Sequence, residues 1–156
     1  MRGLSWELLG VIANLANHAN LRELLLSAPD AMIDGVADGT GAVIGAFYAV
    51  YNALRYGFLE SVYAGALEIE FRERGVHYVR EMPLFVYYKG RAVGSYRADF
   101  FVEGRLVVEV KATNKITQTD QRQLLHYLRA THQEIGLLLH FGQKAEFHRV
   151  VHSREE

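Results

Sequence analysis

Apolar residues set the first expectations. Leu4, Leu8, Val11, Ile12 and Leu15 recur at the three-and-four spacing of one helix face. Asn20 followed by Glu23 has the pattern of a capping box for a short second helix through Leu26. Pro29 suits the first turn of a third. Gly35, Gly39 and Gly41 then interrupt the pattern. Val43–Leu54 reads as a longer helix, and Tyr56-Gly57 breaks it. Another helix is expected from about Phe58 to Arg74, with Leu59, Val62, Tyr63, Ala66, Leu67 and Phe71 on one face and Gly75 as its stop.

Past Gly75 the pattern changes from helix to strand. Val76–Arg80 and Leu84–Tyr88 are rich in β-formers, Lys89-Gly90 is a turn, and Ala92–Val102 reads as a long strand. Glu103-Gly104 is a second turn. Leu106–Lys111 is a nearly unbroken apolar run, the mark of a central strand covered on both faces. Thr119 or Asp120 can cap a helix through about Ala130. Ile135–Leu139 and Glu146–Val151 complete the strands. A strand–helix–strand unit from Leu106–Lys111 to Ile135–Leu139 predicts parallel pairing, and hence a mixed sheet with helices on it. The expected division is a helical extension over residues 1–41 and a single α/β (α+β) domain over 42–156.

Composition narrows the chemistry. The 156 residues fit one ordinary domain, half of them are hydrophobic, and there is no cysteine. Disulfides, thiol catalysis and cysteine-type zinc sites are therefore excluded. Net charge is only −1, but it is unevenly spread. Residues 1–88 hold 6 Lys/Arg against 10 Asp/Glu, and residues 89–149 hold 10 against 6. The basic excess falls on the strand-rich half, which suits contact with phosphates. Polar residues interrupt every apolar run before it reaches the roughly 18 needed for a membrane span. The expectation is a cytoplasmic protein with no membrane partner.

The chemistry concentrates on Glu109-Val110-Lys111. Alternate residues of a strand share a face, so Glu109 and Lys111 emerge together from an apolar strand. Burying both is costly unless they are partnered or functional. Asp99 lies across the Glu103-Gly104 turn. A hairpin pivoting on Gly104 sets it opposite Glu109, which requires a three-residue loop or a bulge. Two facing acids repel, and a divalent cation such as Mg²⁺ or Mn²⁺ resolves that conflict. Glu60 stands near a helix start, where a bare favourable charge is the simpler explanation. Gln123 and Tyr127 are four apart on the later helix and share a face.

Jointly the set reads Gly57-x-x-Glu60, Asp99, Glu109-x-Lys111 and Gln123-x-x-x-Tyr127, in the order helix, strand, strand, helix. It resembles the PD-(D/E)XK, or restriction-endonuclease-like, nuclease superfamily in its RecB-like branch. Gly57-Phe58-Leu59-Glu60-Ser61-Val62-Tyr63 further resembles the signature of the GxxExxY protein family, and the likeness runs over roughly residues 42–151. Ala98 departs from the pattern, standing where the superfamily nominally has proline. The resemblance implies a restriction-endonuclease-like core and metal-dependent hydrolysis of nucleic acid, DNA rather than RNA, leaving a 5′-phosphate. It implies that Asp99, Glu109 and the Val110 carbonyl hold Mg²⁺ or Mn²⁺, completed by Glu60. Lys111 would orient the attacking water and offset charge on phosphorus. Gln123 would position phosphate or water, and Tyr127 would brace the backbone or stack on a base. Arg97, Lys115, Arg122 and Arg129 are candidate phosphate contacts. A homodimer is one way for so small a domain to cut two strands.

Other classes fit less well. Of the 7 histidines, His126, His132, His140 and His148 invite zinc, with His126 beside Gln123 and Tyr127, but no pair has metalloprotease spacing. The Gly35–Gly45 stretch lacks the Lys-Ser/Thr of a phosphate-binding loop. The alternative from another class is a catalytically silent nucleic-acid-binding or assembly module on the nuclease fold.

Overall fold

The computed structural model describes residues 39–153. The three short N-terminal helices expected before residue 35 lie outside them. Eight elements follow in order. They are α1 (Thr40–Leu54), α2 (Glu60–Glu73), β1 (Tyr78–Tyr88), β2 (Arg91–Val102), β3 (Leu106–Lys111), α3 (Gln118–Thr131), β4 (Ile135–Phe141) and β5 (Ala145–Val151). The strands form one sheet in the order β1-β2-β3-β4-β5. All pairs are antiparallel except β3 with β4, which run parallel from Leu106↔Ile135 to Lys111↔His140. This is a mixed five-stranded sheet flanked by helices, an α+β fold consistent with the core that the resemblance implies.

Two apolar clusters hold the layers together. On one face Val108 and Val110 pack with Phe47, Tyr63, Leu67 and Phe71 of α1 and α2. On the other, Val107 and Leu138 pack with Leu124, Tyr127 and Leu128 of α3. Residues 106–110 of β3 are all buried, as expected of a central strand. Alternation then fixes the polar pair: Glu109 and Lys111 share the α3 face with Val107. Helix α3 approaches β4 closely, because a Cβ at Gly136 would lie 2.8 Å from Leu124 Cδ1.

Several local expectations need correction. The two strands expected over Val76–Arg80 and Leu84–Tyr88 are one, β1, which starts at Tyr78 and is continuous through Glu81, where φ is 52°. Pro83 is tolerated there because β1 is an edge strand. Helix α2 starts at Glu60, so Leu59 lies before it and is 76% exposed; Val62 also faces out. Helix α3 starts earlier than expected, with Thr117 as its N-cap. Asp120 is the third helical residue and closes a capping box, its Oδ2 accepting from Thr117 N at 2.8 Å while Thr117 Oγ1 accepts from Asp120 N at 3.2 Å. The hairpin turns are as read. Lys89 and Gly90 both have positive φ, as a two-residue turn needs. The β2–β3 register, Phe100↔Val108 through Val102↔Leu106, pivots on Gly104.

Candidate active site

One further step along the β2–β3 register brings Asp99 opposite Glu109. There the ladder gives way to side chains. Glu109 Oε1 accepts from Asp99 N at 3.1 Å, and Asp99 Oδ2 accepts from Val110 N at 2.7 Å. Each carboxylate thus takes a backbone donor of the opposite strand that a carbonyl would normally satisfy. The irregularity extends across β1 and β2. Phe100 and Val102 join the α1/α2 cluster, whereas Phe101 and Ala98 join the α3 cluster, although that last pair stands three positions apart. On β1, Tyr78 packs to one side and Val79, Met82 and Leu84 to the other. Inward and outward alternation therefore resets at Asp99 and at Glu81 opposite it, where the positive φ lies.

The acid pair is electrostatically loaded. Glu109 is 5% exposed. Burial, followed by the negative charge of Asp99, pushes its carboxyl up to about 8, against the pull of a backbone hydrogen bond and of Lys111. Lys111 offers only part of the compensation, because its ammonium sits 3.7 Å from Asp120 Oδ1. Burial raises the Asp120 carboxyl, but hydrogen bonds from Thr117 and the charge of Lys111 outweigh it and hold the group below its ordinary value. Tyr127 lies close enough to register the acids. Its hydroxyl is pushed up by burial first and then by Glu109. Gln123 Nε2 donates to that hydroxyl at 2.7 Å, so the two are linked as their spacing suggests.

Glu60 reaches the same strand end from the other face of the sheet. Its Oε1 accepts from Ala112 N, just past Lys111, at 3.3 Å. The loop before it is built for this placement. Gly57 has φ 113°, closed to other residues without strain. Tyr63, buried and stacked on Phe141 with centroids 4.1 Å apart, donates its hydroxyl to Arg55 O at 2.7 Å and accepts from Phe58 N at 3.1 Å. The Gly-x-x-Glu-x-x-Tyr spacing thus has a mechanical meaning: a glycine bend, an acid at the helix start, and a tyrosine one turn later that staples the bend. Tyr63→Phe is expected to destabilise the fold by about 1–3 kcal/mol, since it strips partners from both backbone groups. A urea midpoint equal to that of wild type would show that water replaces the hydroxyl.

The donors suit an oxygen-bound divalent cation. Two facing carboxylates, one buried and forced toward its neutral form, are the environment that such a cation relieves. Among the described residues, however, no three histidine or acidic side chains are gathered into a finished ligand set. Asp99 and Glu109 are brought together, while Glu60 is turned onto Ala112 N. The histidines do not compete. His126 is exposed, and the buried His140 contacts Thr113 O through Nε2 at 2.6 Å, fixing the loop after Lys111. Arg97, Lys115, Arg122 and Arg129 are all exposed. Arg122 and Arg129 lie on the side of α3 opposite its buried Leu124, Tyr127 and Leu128.

Sequence reasoning read Asp120 only as a cap, yet it also holds Lys111. It placed Tyr63 in the Gly57–Tyr63 signature and weighed His140 only for zinc; the hydrogen bonds by which each fixes a loop are set by the fold.

Among the described residues no helix is long and apolar enough to cross a membrane. Among solved structures, the crystal structure of SSO0001 is similar, with a TM-score of 0.48 and 17% identity over 61% of this chain and 52% of that one. The matched region thus spans about half of that chain's length. No curated protein matches. A family model described as the PD-(D/E)XK nuclease superfamily matches residues 37–150. That superfamily consists in general of nucleases that typically use divalent metals on nucleic acid. The match takes in both helices of one face, the whole sheet and α3, and with it the chain belongs to the PD-(D/E)XK nuclease superfamily.

Proposed function

We propose that this chain hydrolyses phosphodiester bonds of nucleic acid, DNA more than RNA, with Mg²⁺ or Mn²⁺, and that it falls in the GxxExxY branch of its superfamily. The observation that carries the reading is the interlocked pair Asp99–Glu109, with Lys111 on the same face of the same strand. Asp99, Glu109 and the Val110 carbonyl would hold the cation, with Glu60 directly or through water. When bound, such a cation supplies Lewis-acid polarisation of a phosphate and acidifies a water. Lys111 presents an ammonium where negative charge grows on phosphorus, and Asp120 keeps that ammonium aimed. Gln123 fixes Tyr127, whose hydroxyl borders the acids and can brace the substrate backbone. Arg97, Lys115, Arg122 and Arg129 remain candidate phosphate contacts, and a homodimer a candidate assembly.

A silent binding module is favoured by one observation, the absence among the described residues of a third side chain closing the ligand set. The deciding experiment offers labelled single- and double-stranded DNA and RNA with Mg²⁺ or Mn²⁺. Cleavage that needs the metal establishes the activity and its substrate together. No cleavage of any substrate, with no heat of metal binding by calorimetry, overturns the nuclease reading in favour of the module.

A further inference from the structure

The β1–β2 hairpin outruns the rest of the sheet. Strand β3 ends at Lys111, while β2 extends back to Arg91 and β1 forward to Tyr88. Beyond the level of Asp99 the hairpin is therefore a two-stranded arm, about 25 Å long at 3.3 Å per residue. It leaves the sheet at the strand end that carries the acid pair.

The side of this arm that faces α3 follows from its pairing. Directly paired residues share a face, so Leu84 with Tyr96 and Val86 with Gly94 form one row, which Tyr88 with Arg91 continues past a register shift between Val86 and Tyr87. Leu84 is buried in the cluster under α3, which fixes that row as the α3 side, the side of Glu109 and Lys111. Past Leu84 the row is open: Tyr96 is 44% exposed, Val86 39% and Tyr88 64%. The Tyr96 ring lies back over Gly94, where a Cβ would stand 3.1 Å from the ring, and its centroid is 5.8 Å from that of Tyr127. Lys89 Nζ lies 5.5 Å over the Tyr88 ring. The tip is basic: Lys89 and Arg91 flank its turn, and residues 82–98 contain no acidic residue.

Exposed flat rings in a line, a basic tip and no acid make a surface for bases and phosphates, not for an apolar protein face. We propose that the α3-side face of this arm is a single-strand nucleic-acid platform. Bases stack on Tyr96 and Tyr88 while Lys89 and Arg91 take backbone phosphates, and the strand is led past Tyr127 to the acid pair. The platform deepens the nuclease reading, on which it rests, by naming an unpaired strand as the substrate. Stacking needs the whole face of a base, and a duplex withholds it.

The test is fluorescence anisotropy in EDTA, which withholds the cation, with a labelled oligothymidine and a labelled duplex of equal length. Wild type is expected to bind the single strand more tightly. Tyr96→Ala and Tyr88→Ala should each weaken it about tenfold or more, and Tyr→Phe at either position should restore it, because the ring and not the hydroxyl does the stacking. The double variant Lys89→Ala/Arg91→Ala should flatten the dependence of log affinity on log salt by about 0.7 per charge removed. All four positions are exposed, so the variants are expected to keep the circular dichroism of the wild type. Equal affinity for duplex, no measurable binding to the single strand, or indifference to both alanine variants overturns the platform. The two readings fail separately. Tyrosine-dependent strand binding without cleavage of any substrate sinks the nuclease and leaves the platform; metal-dependent cleavage indifferent to the tyrosines does the reverse.

Discussion

Lys111→Ala is expected to slow metal-dependent cleavage about 10²–10³-fold while barely changing the affinity for nucleic acid. The reason is positional. The lysine side chain is mostly buried and shares a face with Glu109, and its ammonium is held by an aspartate that has other work. Asp120 keeps its three hydrogen bonds with Thr117 when the lysine is gone, so the start of α3 survives the substitution. What is lost is charge where the transition state needs it, and that loss falls on kcat. Asp99→Ala should be as damaging for a different reason, since it removes a candidate ligand and leaves Val110 N without its acceptor. Asp120→Asn separates the two roles of that residue. It still accepts from Thr117 but no longer offers the lysine a full charge, and a loss of about 10–100-fold is expected, as for partners that orient a site from behind. Single-turnover rates under saturating Mg²⁺ measure all three. Lys111→Ala cleaving at the wild-type rate would remove the lysine from the chemistry.

The second large effect is on stability. In metal-free protein, stability should fall as pH rises from about 5 to 8. Glu109 has an ordinary value of 4.5 and is raised to about 8 in the fold, by burial and then by Asp99. Between those values the folded chain holds a proton that the unfolded chain has released, so each step up in pH favours unfolding, by up to about 1.4 kcal/mol per unit. The stabilisation is complete below about 4.5 and gone above 8. Glu109→Gln removes the slope, because an amide pays no ionisation cost. A divalent cation should reverse its sign. Binding requires the ionised carboxylate and expels the proton, so Mn²⁺ should raise the melting temperature more at pH 8 than at pH 6. A flat profile in wild type, superimposable on that of Glu109→Gln, would mean that the carboxyl is already ionised throughout.

How far the sequence carried this picture depends on the range of each interaction. The pairing of Asp99 with Glu109 was legible because a short turn with a glycine leaves few registers, and the apolar run of β3 chooses among them. The parallel β3–β4 pair followed from one helix lying between two strands. Misreadings arose where a local signal had competitors. Three hydroxyl or acidic residues between 117 and 120 could cap α3, and only the reciprocal Thr117–Asp120 bonds choose. Leu59 and Val62 fit the helical period of α2, but the core ends at Tyr63. The reset of β1 and β2 at Glu81 and Asp99 has no local signal at all. A glutamate with positive φ is disfavoured on its own, and here packing on either side of the reset holds it. The staple from Tyr63 was hidden for the same reason: its partners are backbone groups placed by the fold.

The tight turn about Gly104 has a further consequence, for the order of events in folding. It places the two acids only ten residues apart along the chain, so they meet as soon as one local hairpin closes, whereas the β3–β4 pair must wait for the whole α3 crossover. Short loops close quickly, and the repulsion between Asp99 and Glu109 would then be met early, before Lys111 has Asp120 beside it. The cost of the site would therefore fall on the rate of folding more than on the rate of unfolding. Stopped-flow refolding should be slower at pH 8 than at pH 6 and recover with Glu109→Gln, with the unfolding limb little changed. An effect confined to unfolding would place the meeting of the two acids after the barrier.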